Sequence, residues 1–161
     1  MIQNSVENTY YYKVIDGYYY IVLSTESDTV NGMDVSDAQL EWLDGVLSEA
    51  SKEDKPIFVF SHHPINYIEN GSYDRVSEVI NDYENAICFS GHTHLPLAPY
   101  SVSEINGVTS INLPRSTETE EEGTPSCVGA VIEVYDNEVL LRFRDFSTFE
   151  FIEGYEYSFE F

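Results

Sequence analysis

The chain has 161 residues with seven Lys and Arg against 29 Asp and Glu, a formal net charge of −22, so nucleic-acid backbone and anionic membrane surfaces are repelled and neither is an expected partner. A hydrophobic content of 42% and an aromatic content of 14% suit one domain with an ordinary core. No stretch approaches the roughly 18 consecutive apolar residues of a membrane span, and Met1 to Ser5 does not open a basic-then-apolar leader, so a soluble chain is expected, with no compartment implied. Cys88 and Cys127 sit in apolar surroundings and suggest packing rather than a disulfide framework.

Two β-rich stretches, Tyr10 to Val14 and Tyr18 to Leu23, flank Asp16-Gly17, which predicts a tight hairpin. The polar run from Ser24 to Val35, broken by Gly32, predicts a loop. Ser36 and Gln39 stand at capping-box spacing, and Leu40, Leu43, Val46, Leu47 and Ala50 recur at helical intervals, predicting an amphipathic helix with one buried stripe. After Lys55-Pro56, the continuous apolar run Ile57 to Phe60 predicts a strand covered on both faces. It ends at Ser61-His62-His63-Pro64. Val76, Val79, Ile80 and Tyr83 mark a second helix, capped by Ser72 or Asp74, and Ala86 to Phe89 repeats the buried-strand pattern before Ser90-Gly91-His92-Thr93-His94.

Beyond Pro96, strands are predicted at Val108 to Asn112, at Val128 to Tyr135 paired with Glu138 to Phe146 across Asp136-Asn137, and at Phe149 to Phe161 as a charged edge strand. Thr117 to Gly123 is an acidic loop. The fold class is therefore α/β, a mixed β-sheet with flanking helices.

All four histidines fall in two clusters, each just after a buried strand, where open sheets hold their ligands. If those strands are parallel neighbours, both loops lie at one end of the sheet. Gly91 lets the backbone turn closely, and the two imidazoles that follow, two residues apart, can project toward one cavity. Neutral imidazole suits manganese, iron or zinc. His63 precedes a proline and is biased toward extended backbone. One of the His62-His63 pair is expected to bind metal, and the other to take a place behind the ligands, face substrate or simply pack.

The order Gln39-Leu40-Glu41-Trp42-Leu43, Pro56 to Pro64 and Ser90-Gly91-His92-Thr93-His94 resembles the second half of calcineurin-like metallophosphoesterases. That resemblance implies a metal-dependent hydrolase of phosphate mono- or diesters, with two divalent transition ions binding the phosphoester between them. It implies that His62 and His92 ligate one ion and His94 its partner, and it assigns no ligand role to His63. It also implies the C-terminal half of a four-layer α/β/β/α sandwich, with residues 1–161 forming one partial domain.

The earlier family elements, Asp-x-His, Gly-Asp-x-x-Asp and Gly-Asn-His, are absent. No catalytic residue is assigned, and the chain alone is expected to be inactive or weakly active. An N-terminal half, or self-association, is expected to cover the exposed sheet. The alternative is a noncatalytic metal-binding or interaction module derived from the same fold. Ile65 to Tyr73 and Leu95 to Val108 are the expected rims of the site.

Overall fold

The computed structural model describes residues 9–26, 34–67, 72–116 and 127–161. Most of the polar loop around Gly32, the acidic stretch Thr117 to Gly123, the opening residues 1–8 and residues 68–71 of the first expected rim lie outside the described residues.

Strands β1 (Tyr11–Ile15) and β2 (Tyr18–Val22) form the expected hairpin, with Tyr11 opposite Val22 and Ile15 opposite Tyr18. Asp16 and Gly17 take φ values of 53° and 83°, the positive pair that a two-residue turn needs to match the twist of its strands.

Helix α1 (Asp37–Ala50) begins at Ser36, whose side chain accepts from the Gln39 amide at 3.2 Å. The reciprocal half of the capping box is replaced. The Gln39 side chain, fully buried, instead donates to the Ser24 carbonyl at 2.9 Å and to Glu26 at 2.8 Å, and accepts from the Ser24 amide at 3.0 Å. Glu26 takes over the cap, accepting from the Ser36 amide at 2.7 Å. A buried amide must satisfy both its ends, and the Ser24 backbone offers an acceptor and a donor together.

Helix α2 (Ser72–Asn81) packs against α1, buries Val76 and Ile80, and includes Asp74 in its first turn. Just beyond its end, the Tyr83 hydroxyl donates to the Asp44 carboxylate of α1 at 2.8 Å.

Strands β3 (Ile57–Phe60), β4 (Ala86–Ser90) and β6 (Val108–Asn112) run parallel to β2, while β1 and a strand the sequence pattern did not expose, β5 (Val102–Ile105), pair antiparallel at the edges. The resulting order is β1-β2-β3-β4-β6-β5. Alternation along the central strands sorts the core into two layers, because successive side chains leave opposite faces of a strand. Ile57, Val59, Ala86 and Cys88 pack with Leu43, Leu47, Val76 and Ile80 of the helices.

Phe58, Ile87, Phe89 and Ile111 pack instead with Val128, Val139, Leu141 and Phe143. Those residues belong to a second, antiparallel sheet of β7 (Val128–Val134), β8 (Glu138–Asp145) and β9 (Glu150–Glu160). The chain is thus a helix layer, a six-stranded mixed sheet and a three-stranded sheet. The sheet face expected to await a partner is instead largely covered by this chain's own second sheet. Apolar exposure persists at the hairpin edge, on Tyr11, Val14 and Ile15, and around β9, on Phe149 and Phe151. Among the described residues, no helix is long and apolar enough to cross a membrane.

Candidate metal centre

Three parallel strands, β3, β4 and β6, finish at the same edge of the central sheet, and the chain leaving each contributes to one site. The loops are tied to one another by main-chain hydrogen bonds. The Ser61 amide donates to the Phe89 carbonyl at 3.0 Å, the Gly91 amide to the His62 carbonyl at 3.0 Å, and the Leu113 amide to the Ser90 carbonyl at 2.7 Å. The Ser61 hydroxyl also donates to the His63 carbonyl. The histidine backbones are therefore held by the sheet rather than carried on free loops.

His62, His63 and His92 offer ring nitrogens that all lie within 4.8 Å of one another. His92 Nδ1 lies 3.2 Å from His62 Nε2. Ring centroids are 4.1 Å apart for His63 and His92, and 5.1 Å for His62 and His92. His62 is exposed and His63 is buried at 4% exposure. His94 lies outside this group of three and, with His92, lines an adjoining cavity of about 220 Å³. The structure therefore places His63, given no ligand role by the resemblance, inside the group. Among the described residues, no carboxylate joins it.

The turn that aims these rings differs in mechanism from the sequence expectation. Gly91 is not in the left-handed region, and a Cβ there would meet nothing closer than the His62 carbonyl at 4.0 Å. The unusual backbone falls on the histidines themselves, with φ of 64° at His92 and 51° at His94. Such conformations cost a non-glycine residue roughly 1–3 kcal/mol and persist only where surrounding structure enforces them. Enforcement comes from the Thr93 amide, which donates to the Gly91 carbonyl at 2.7 Å, and from the Thr93 hydroxyl, which accepts from Asn112 Nδ2 at 2.7 Å.

A divalent ion fits this donor set once the rings close around it. Two nitrogens each about 2.1 Å from one ion stand about 3.4 Å apart in tetrahedral geometry and at most about 4.2 Å apart in any. The 3.2 Å pair already meets that spacing. A pair at the 4.8 Å limit must close by about 0.6 Å even for a linear arrangement, and by about 1.4 Å to reach the tetrahedral spacing. Burial first, and then the rings of His63, His62 and His94, hold the His92 imidazole below its ordinary value, which favours the neutral form that binds metal. Burial alone pushes the Cys88 thiol up to about 12, consistent with an inert core side chain.

Sequence patterning missed the third loop. Asn112 ends β6, and Leu113, Pro114 and Arg115 continue along the cavity that His92 and His94 line. The available signal was a third apolar strand stopping at a polar, proline-containing segment that holds one of only seven basic residues.

Residues 2–96 match the family model for calcineurin-like phosphoesterase. A manganese-dependent ADP-ribose/CDP-alcohol diphosphatase of Arabidopsis thaliana is 32% identical over 115 residues, covering 66% of this chain and 35% of that protein. The crystal structure of a dimetal phosphatase from Danio rerio shares the fold with a TM-score of 0.64 over 94% of this chain and 60% of that one, at 14% identity. This chain therefore spans about a third of the length of the curated relative it matches.

Proposed function

The chain belongs to the calcineurin-like phosphoesterase family, and from that premise we propose that it forms the late-ligand portion of a metal-dependent phosphoesterase. In this role residues 1–161 act as one partial domain. His62 and His92 hold one divalent transition ion, supported by their 3.2 Å nitrogen separation. His94 serves a second ion, and buried His63 stands behind the ligands or replaces one of them. Bound divalent ions supply positive charge to the oxygens of a phosphoryl group under attack.

The chain's own residues supply positioning. Asn112 and Thr93 fix the His92–His94 turn, the cross-loop amides fix the separation of the two histidine clusters, and the low proton affinity of His92 keeps its nitrogen open to metal. The carboxylate that bridges two ions in the family has no counterpart among the three gathered imidazoles. A segment carrying Asp-x-His, Gly-Asp-x-x-Asp and Gly-Asn-His, in a longer parent or a second chain, completes the site. Manganese and ADP-ribose are the first metal and substrate to test, because the Arabidopsis relative is named for them.

The single observation carrying this proposal is the convergence of imidazoles from two separate strand ends. Hydrolysis of ADP-ribose and p-nitrophenyl phosphate should be measured with manganese, for this chain alone and for a fusion behind a segment bearing the three earlier motifs. Turnover confined to the fusion, and lost in His92→Ala, is expected. Vigorous turnover by the chain alone would overturn its incompleteness. A folded, metal-loaded fusion without turnover would favour a noncatalytic metal-binding module, which the all-imidazole donor group also supports.

A further inference from the structure

We propose that Arg115 is a phosphoryl-binding residue, holding an oxygen pair of the substrate beside the histidine cluster; this rests on the reading of that cluster as a metal centre for phosphoesters. The cavity of about 220 Å³ brings together His92 and His94 from one loop and Leu113, Pro114 and Arg115 from the next. Its size is below the ~300–1,000 Å³ of sites that enclose a drug-sized ligand. It suits a phosphoryl group and its bonded atoms, with the remainder of a substrate outside.

The state of Arg115 supports an anionic occupant. Its Nε is buried and has no hydrogen-bond partner among the described residues, although buried donors are nearly always satisfied. Among the described residues, Lys52, Arg75 and Arg142 each pair with a carboxylate, whereas Arg115, like Lys13, Lys55 and Arg144, is in no ion pair. In a chain with 29 acidic and seven basic side chains, a half-buried guanidinium that lines this cavity and has no carboxylate partner among the described residues brings positive charge to it. Its main chain is anchored, with the Arg115 amide donating to the Leu95 carbonyl at 3.0 Å. The planar fork of guanidinium donors is pre-set to match two phosphoryl oxygens, whereas an ammonium acts as a point charge. A fixed cation beside the metal ligands also opposes the acidic exterior where a phosphoester must approach.

The test uses the full chain and inorganic phosphate, titrated calorimetrically into metal-free and manganese-loaded protein, with manganese affinity measured separately by equilibrium dialysis. Arg115→Met should weaken phosphate binding at least about tenfold in both states, and Arg115→Lys should fall between it and the native chain. Manganese affinity should change by less than about twofold. Circular dichroism and melting temperature establish that each variant is folded, and Arg115→Gln replaces Arg115→Met should the latter fail to fold. Phosphate affinity equal to native in a folded Arg115→Met or Arg115→Gln variant would overturn the proposal, whatever the metal does. Loss of phosphate binding on substitution, in a chain that binds no manganese, would uphold Arg115 as the anion site while refuting the metal centre.

Discussion

Replacing Thr93 by Val removes one hydroxyl from the turn that carries His92 and His94, while keeping side-chain shape and β-branching. In the native chain that hydroxyl accepts from Asn112 Nδ2 at 2.7 Å, and Asn112 Oδ1 is already buried without a partner among the described residues. The substitution leaves the whole Asn112 side-chain amide without a partner among the described residues. Loss of the Asn112 bond and of the longer one the hydroxyl accepts from the Leu95 amide at 3.5 Å, with an orphaned, partly buried donor, corresponds to about 1–3 kcal/mol. Part of that loss should appear as freedom of the turn, because the left-handed backbone at His92 and His94 needs enforcement. Groups that orient metal ligands typically change metal affinity by about 10–100-fold when removed. Urea denaturation and manganese equilibrium dialysis on Thr93→Val, with Thr93→Ser as the hydroxyl-retaining control, separate the two effects. A Thr93→Val chain that loses stability yet binds manganese as well as the native chain would refute the claim that this hydrogen bond aims the histidines.

Four further outcomes are expected. Leu43→Ala, at a fully buried position in the helix-side core, should cost about 2–5 kcal/mol in urea melts. Gly17→Ala places a side chain at a φ of 83° and should cost about 1–2 kcal/mol by the same measurement. Burial works to raise the Glu26 carboxyl, but hydrogen bonds from Ser36 and Gln39 outweigh it and leave the group below its ordinary value. Glu26 therefore contributes stability above its unfolded-state value and loses it as pH falls through the folded-state value. Glu26→Gln should accordingly be less stable than the native chain at pH 7, with the gap narrowing under acid in parallel melts. Phe143→Ala, fully buried between the two sheets, should cost about 3–5 kcal/mol and raise binding of a hydrophobic dye.

Periodicity carried the layout of the central sheet, because an apolar run bounded by turn residues admits few alternatives when it recurs before each histidine cluster. The hairpin at Asp16-Gly17 and the stripe from Leu40 to Ala50 were legible for the same local reason. Non-local satisfaction was not legible. Gln39 has capping-box spacing, yet its amide turns to Ser24 and Glu26, fifteen and thirteen residues away. β5 was hidden because Val102 to Ile105 is short, polar and defined by pairing with β6. The histidine clusters announced a site, but not which rings meet. His63 joins His62 and His92 because the sheet edge and the Gly91–His62 hydrogen bond bring the two loops together. Arg115 and Asn112 escaped notice because their importance comes from β6 ending beside β4, a fact of topology rather than spacing.

Manganese binding by the purified chain, compared with His62→Ala and His92→Ala, addresses the metal centre itself. The geometry predicts saturable binding by the native chain that weakens at least about tenfold in each variant, since their nitrogens stand 3.2 Å apart at the centre of the group. No saturable binding, or native affinity retained in folded His92→Ala, would contradict it.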